Sequence, residues 1–210
     1  MANLNASEEY NGASWTAGNN LNTARESLGG LGTQTAGLSF GGYISASDAE
    51  TEEYNGTSWT EVGGNLSTAR YNLTGCGTQS AGLSVGGYIS AASAVCEEYD
   101  GSTWSSGGNL NTAKHTSASI GTLSDAVTCG GSTDSGATVV TVVESYNGTA
   151  WATGHAGLST LRAQAGGAGT ASTGLVCGGH TSGGYTAINS TEELDLLSLI
   201  HISEPTRLRR

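Results

Sequence analysis

An eight-residue phrase returns four times along this chain, almost in step. EEYNGASW (Glu8–Trp15) recurs as EEYNGTSW (Glu52–Trp59), EEYDGSTW (Glu97–Trp104) and ESYNGTAW (Glu144–Trp151), and the tryptophans stand 44, 45 and 47 residues apart. A fixed period of this size means one small structural unit per repeat, stacked on its neighbours to share a core. Other positions keep the same beat. A Leu follows each Trp (Leu21, Leu66, Leu110, Leu158), a basic residue comes four later (Arg25, Arg70, Lys114, Arg162), and a glycine pair closes the pattern (Gly41-Gly42, Gly86-Gly87, Gly130-Gly131, Gly178-Gly179). A fifth copy opens at Glu192-Glu193-Leu194-Asp195 without the Gly and Trp that should follow. We therefore expect a repeat array interrupted in mid-repeat.

Within one repeat the pattern predicts four short strands. Small and apolar residues alternate over Ser27–Gln34, and a second run, Gly37–Ile44, carries the glycine pair. A variable loop then leads to Thr51–Gly56 and the Trp strand. Asn-Gly between a Tyr strand and a Trp strand is a strong hairpin signal and predicts a type I′ turn, with positive φ at both residues. Composition agrees with an all-β chain. Gly supplies 34 of 210 residues, Pro one, and charged residues 12%, against usual shares of ~7% Gly and ~25% charged.

The last stretch breaks from this. Residues 196–210 hold the one Pro (Pro205) and three of the seven basic residues. Leu197–Arg207, LSLIHISEPTR, resembles a sequencing adapter translated in one frame, and such scars are set aside in fold reasoning. We divide the chain into a leader (1–7), the repeats (8–195) and a non-native tail (196–210). Without the tail, four basic and 17 acidic residues leave a net charge of −13. So few cations argue against a nucleic-acid partner, and no run nears the ~18 apolar residues of a membrane span.

The double Gly, the Tyr shortly before a Trp, and the basic residue after it together resemble the kelch family of β-propellers, over Glu8 to Asp195. Tyr54 to Trp59 is a tighter turn than many kelch repeats have, and no Pro precedes the basic residue. The resemblance implies a kelch-like, galactose-oxidase-like propeller of about four blades, each of four antiparallel strands. The register opens on half a blade and ends on a surplus outer strand, so we expect an incomplete ring whose open strand edges invite self-association. Trp15, Trp59, Trp104 and Trp151 and the four glycine pairs are the residues expected to define the repeat.

Each candidate chemistry has a plain competitor. Copper oxidation of the galactose oxidase kind needs converging His, Tyr and Cys, whereas His115, His155 and His180 fall at different phases of the repeat. No metal or other cofactor is expected. Asp100-Gly101-Ser102-Thr103-Trp104 is similar to the Asp-box of sialidase propellers, but its Asp and Gly are adjacent, and a hairpin turn explains it better. The basic column (Arg25, Arg70, Lys114, Arg162) reads as partly exposed pairs with the repeated Glu, worth ~0–1 kcal/mol each, or else as a positive ring for an anionic ligand. The Glu-Glu doublets read as solvated carboxylates. Cys129 and Cys177 fall in an apolar column and read as buried thiols.

The loops after the glycine pairs vary most and are rich in Ser, Gly, Thr and Tyr, a composition suited to adaptable contact. Tyr43, Tyr88, Asp134, His180 and Tyr185 are the candidate binding residues. We expect a non-catalytic recognition propeller with a protein or carbohydrate ligand. Similar Gly-rich arrays in phage tail fibres imply an extracellular or virion surface. The alternative is a piece of a galactose-oxidase-like or sialidase-like enzyme whose active site lies outside this chain.

Overall fold

The structure is a computed structural model, and it describes residues 3–135, 138–181 and 186–195. Residues 196–210, expected from sequence to be a non-native tail, and the candidate Tyr185 lie outside the described residues. Every regular element is a strand, and no helix long and apolar enough to cross a membrane occurs among the described residues.

The first hairpin is β1 (Glu8–Tyr10) and β2 (Trp15–Ala17). Three four-stranded antiparallel sheets follow. The first comprises β3 (Gly29–Thr33), β4 (Ala36–Tyr43), β5 (Ser47–Tyr54) and β6 (Trp59–Glu61). The second has β7 (Thr74–Thr78), β8 (Ala81–Val85), β9 (Cys96–Tyr99) and β10 (Trp104–Ser106), and the third β11 (Ala118–Thr122), β12 (Asp125–Cys129), β13 (Val143–Tyr146) and β14 (Trp151–Ala152). A last sheet joins β15 (Gly166–Gly169), β16 (Thr173–Cys177) and β19 (Thr191–Asp195), beside a small ribbon of β17 (His180–Thr181) and β18 (Thr186–Ala187). In each four-stranded sheet the strands lie side by side in chain order. The opening strands β3, β7, β11 and β15 neighbour one another in succession, so the sheets stack face to face.

The hairpin register repeats without slippage: Tyr10 opposes Trp15, Tyr54 opposes Trp59, Tyr99 opposes Trp104 and Tyr146 opposes Trp151. The turns differ from the expected type I′. Among the described non-glycine residues none of these turn positions has positive φ; only the glycine does, as at Gly56 (+87°). The loop has four residues rather than two, because the Asn55 side chain accepts from the amides of Thr57 and Ser58 at 2.9 Å each and holds the chain open. Asp100 plays this part in the second sheet, accepting from the Ser102 and Thr103 amides at 2.8 Å. Those bonds hold its carboxyl below its usual range, and they account for the likeness to an Asp-box.

The glycine pair is a bulge that receives the next repeat. Gly41 (φ +62°) and Gly42 (φ +117°) interrupt the β4–β5 register. The Gly42 amide donates to the Arg70 carbonyl at 3.0 Å, and a Cβ on Gly41 would sit 2.8 Å from that same oxygen. Gly87 donates likewise to Lys114, and Gly131 to Arg162. Only a residue with no side chain and free access to positive φ fits there.

The leader is part of the array. Leu4, Asn5 and Ser7 accept from the backbone of Arg25, Leu21 and Gly18, as Asp48, Ala49 and Thr51 accept from Arg70, Leu66 and Val62 one repeat later. The structural repeat thus starts ahead of Glu8.

Candidate functional site

The basic column lies inside the protein. Arg25, Arg70, Lys114 and Arg162 are buried. Arg25 bonds Glu52 and Asp48 at 3.0 Å each and the Ser39 hydroxyl at 3.2 Å. Arg70 pairs with Glu97 and adds Ser84 and the Gly86 carbonyl, and Arg162 reaches Glu192 at 2.7 Å. Each Glu also caps the turn before its Arg, as Glu52 does for the Asn22 amide at 2.7 Å. The pairs with Glu52, Glu97 and Glu144 are therefore buried, while Glu192 keeps partial exposure, and the surface value of ~0–1 kcal/mol does not describe the buried ones. Loss of one partner in such a pair costs about 3–5 kcal/mol. These cations are buried and point their charge at carboxylates inside the fold, although the Nε atoms of Arg25 and Arg162 are left without a partner there.

Lys114 fits this column less well. Its ammonium is 4.0 Å from Glu144 and 3.5 Å from the Val142 carbonyl. Burial lowers its pKa to about 8, with Glu144 pulling the other way. A point charge on a flexible stem cannot reproduce the guanidinium fork.

The inner Glu doublets are not solvated either, whereas Glu8 and Glu193 at the two outer sheets are exposed as expected. The inner first members, Glu52 and Glu97, are buried against the Arg column. Second members bond the tyrosine of the following sheet: Tyr54 donates to Glu9, Tyr99 to Glu53 at 2.8 Å, and Tyr146 to Glu98. Sheet-on-sheet stacking, which a single strand pattern does not display, brings these partners together. Cys129 is buried but Cys177 is exposed, since among the described residues no further sheet covers the last one. Among the described residues no three His, Cys, Asp or Glu side chains are placed to hold a metal ion. His155 bonds the Ser145 hydroxyl, and His180 bonds the Thr181 carbonyl.

What the fold does assemble is an aromatic ladder at the loop end. The residue after each basic position pairs with the residue after each glycine pair: Glu26 with Tyr43, Tyr71 with Tyr88, His115 with Ser132, and Ala163 with His180. These bridges bring the Tyr43, Tyr71, Tyr88 and His115 rings into line across three repeats. Their centroids are 5.1, 5.5 and 5.1 Å apart in turn. The three tyrosines are half-buried, and His115 is buried with Nε2 2.5 Å from the Asp134 carbonyl oxygen. Partial burial and the neighbouring tyrosines raise the Tyr71 pKa. Of the loop residues expected from sequence, Tyr43 and Tyr88 join this ladder and Asp134 braces it. His180 occupies the equivalent position after the fourth glycine pair and bridges Ala163.

A polar hollow of about 280 Å³ is lined by Ser27, Asn72, Leu73, Thr116, Ser117 and Gln164 among others; Asn72 and Thr116 follow the ladder residues Tyr71 and His115 directly in sequence. Ser27, Asn72, Thr116 and Gln164 are one repeat column, two places after each basic residue, and all sit at φ between +54° and +56°. A left-handed conformation costs a non-glycine residue roughly 1–2 kcal/mol. It is held by a belt of backbone bonds at 2.8 Å, from Asn72 N–H to Ser27, Thr116 N–H to Asn72, and Gln164 N–H to Thr116. Sequence reading passed over Tyr71 and the belt. The available signal was a column that is polar in every repeat, two places after the basic one. No family model matches the chain, and no curated protein does.

Proposed function

We propose that this protein is a kelch-like β-propeller recognition module, about four blades in an incomplete ring, that binds a protein or carbohydrate ligand at its loop end. The site's chemistry favours a neutral glycan. The carrying observation is the Tyr43–Tyr71–Tyr88–His115 ladder, whose sequence neighbours Asn72 and Thr116 line a hollow with other hydroxyl and amide side chains. Aromatic faces pack against the apolar faces of sugar rings, and neutral donors and acceptors meet the sugar hydroxyls. The basic residues are engaged elsewhere, so an anionic ligand has less to recommend it. The test is a glycan array read with wild type and with Tyr71→Ala and Tyr88→Ala. We expect binding to neutral glycans that falls at least tenfold in both variants. Binding left intact by both substitutions would remove the ladder from the site, and binding to protein partners alone would make the ligand a protein.

A further inference from the structure

The two ends of the sheet stack carry complementary faces, and we propose that they join one copy of this chain to the next, head to tail. This does not rest on the ligand-binding reading above. The argument starts from junctions within the chain. The first four-stranded sheet presents Leu38, Phe40, Thr51 and Glu53 on one face, as cross-strand pairs Leu38–Glu53 and Phe40–Thr51. The next sheet covers that face with a Tyr and a Trp. Tyr99 donates its hydroxyl to Glu53 at 2.8 Å, Trp104 donates Nε1 to the Thr51 hydroxyl at 3.0 Å, and its ring lies 4.9 Å from that of Phe40. One junction later Leu83, Val85, Cys96 and Glu98 receive Tyr146 and Trp151, with Tyr146 donating to Glu98. At the start of the stack Tyr54 and Trp59 donate to Glu9 and the Ser7 hydroxyl.

Both halves of this junction are left uncovered at the outer sheets. The first hairpin offers a Tyr and a Trp with no sheet before them among the described residues: Tyr10 is 48% exposed and Trp15 66%. The last sheet offers the receiving set with no sheet after it among the described residues. Leu175 pairs with Glu193 and Cys177 with Thr191, in the register of the two inner faces. Leu175 is 39% exposed, whereas Leu38 and Leu83 in the same column are at 1% or below. Cys177, Thr191 and Glu193 are exposed as well. Each receiving group therefore has a matching donor at the opposite end: Glu193 for the Tyr10 hydroxyl, Thr191 for Trp15 Nε1, and Leu175 with Cys177 for the indole face. The hydrogen-bond pattern specifies the occupant, which is a second copy of this chain. Such a contact is heterologous, so it either closes a ring or propagates.

The experiment uses the full chain and two double variants, Y10S/W15S and L175S/E193A, each spoiling one face. Both pairs are exposed, so circular dichroism and Tm should match wild type. Light scattering after size exclusion, from about 1 to about 200 µM, spans the affinities a small interface supports. We expect wild type to grow in mass with concentration and each variant to associate at least tenfold more weakly. An equimolar mixture of the two variants should form a 1:1 dimer, since each keeps the face that the other lacks. Monomeric wild type throughout, association unchanged by either variant as for pairing at strand edges, or no dimer in the mixture would each overturn the proposal. So would a monomer in which Trp15 resists acrylamide quenching, which would mean closure within one chain.

Discussion

The middle of the stack and its two outer sheets are written in nearly the same letters and live in different environments. Tyr99 and Tyr10 occupy one column, yet Tyr99 is buried under its neighbours and Tyr10 faces solvent. Val85 and Cys177 also share a column, one buried and one exposed. The difference teaches that a repeat residue has no burial of its own. Its environment is set by whether another sheet follows or precedes, as expected of an array in which each unit contacts only its neighbours.

The largest test of this comparison is Trp151→Ala against Trp15→Ala. Removing the buried indole should cost about 3–5 kcal/mol. Removing the exposed one should stay within ~0.5 kcal/mol in urea unfolding at submicromolar protein. Nearly as large is Arg70→Met, which strands a buried Glu97 and should cost about 3–5 kcal/mol. Arg162→Met should cost less, because Glu192 keeps partial access to water. Equal losses at the two sites would show that the last sheet is as well covered as the middle.

Lys114 sharpens the comparison inside the middle itself. Its folded pKa, about 8, lies below its ordinary 10.5. Between those values the unfolded chain holds more protons on this residue than the folded one, so stability from this group rises with pH across that window. Its destabilising effect is fully present below pH 8. Lys114→Arg should stabilise the protein at pH 7 by ~1–3 kcal/mol and should remove the rise between pH 8 and 10.5, read as the difference in Tm between the two proteins. The smallest effect is expected from single hydroxyls. Tyr99→Phe forfeits the bond to Glu53 and should cost ~1–2 kcal/mol, while Tyr10→Phe should be neutral in dilute solution.

The repeat columns made much of the architecture legible. Alternation and turn signals placed the strands, and the recurring Tyr–Trp pair reappears as one register in four hairpins. The turn type was misread because the Asn and Asp side chains, not only the backbone, bond the loop amides. The candidate site was legible in part. Tyr43 and Tyr88 stood out as variable loop residues, but Tyr71 and His115 come from the column after the basic residue. Nothing along the chain announces that these two columns bridge.

Sequence by itself determined the period, the strand pairs within each repeat and the need for glycine where one repeat's backbone enters the next. These are local consequences of side-chain alternation, turn chemistry and the absence of a Cβ. Tertiary structure alone decided which charges are buried, which aromatic rings meet and which faces stay open. Stacking one sheet on the next moves a residue from water into contact with a neighbour some 45 positions away, and the strand carrying that residue reads the same either way.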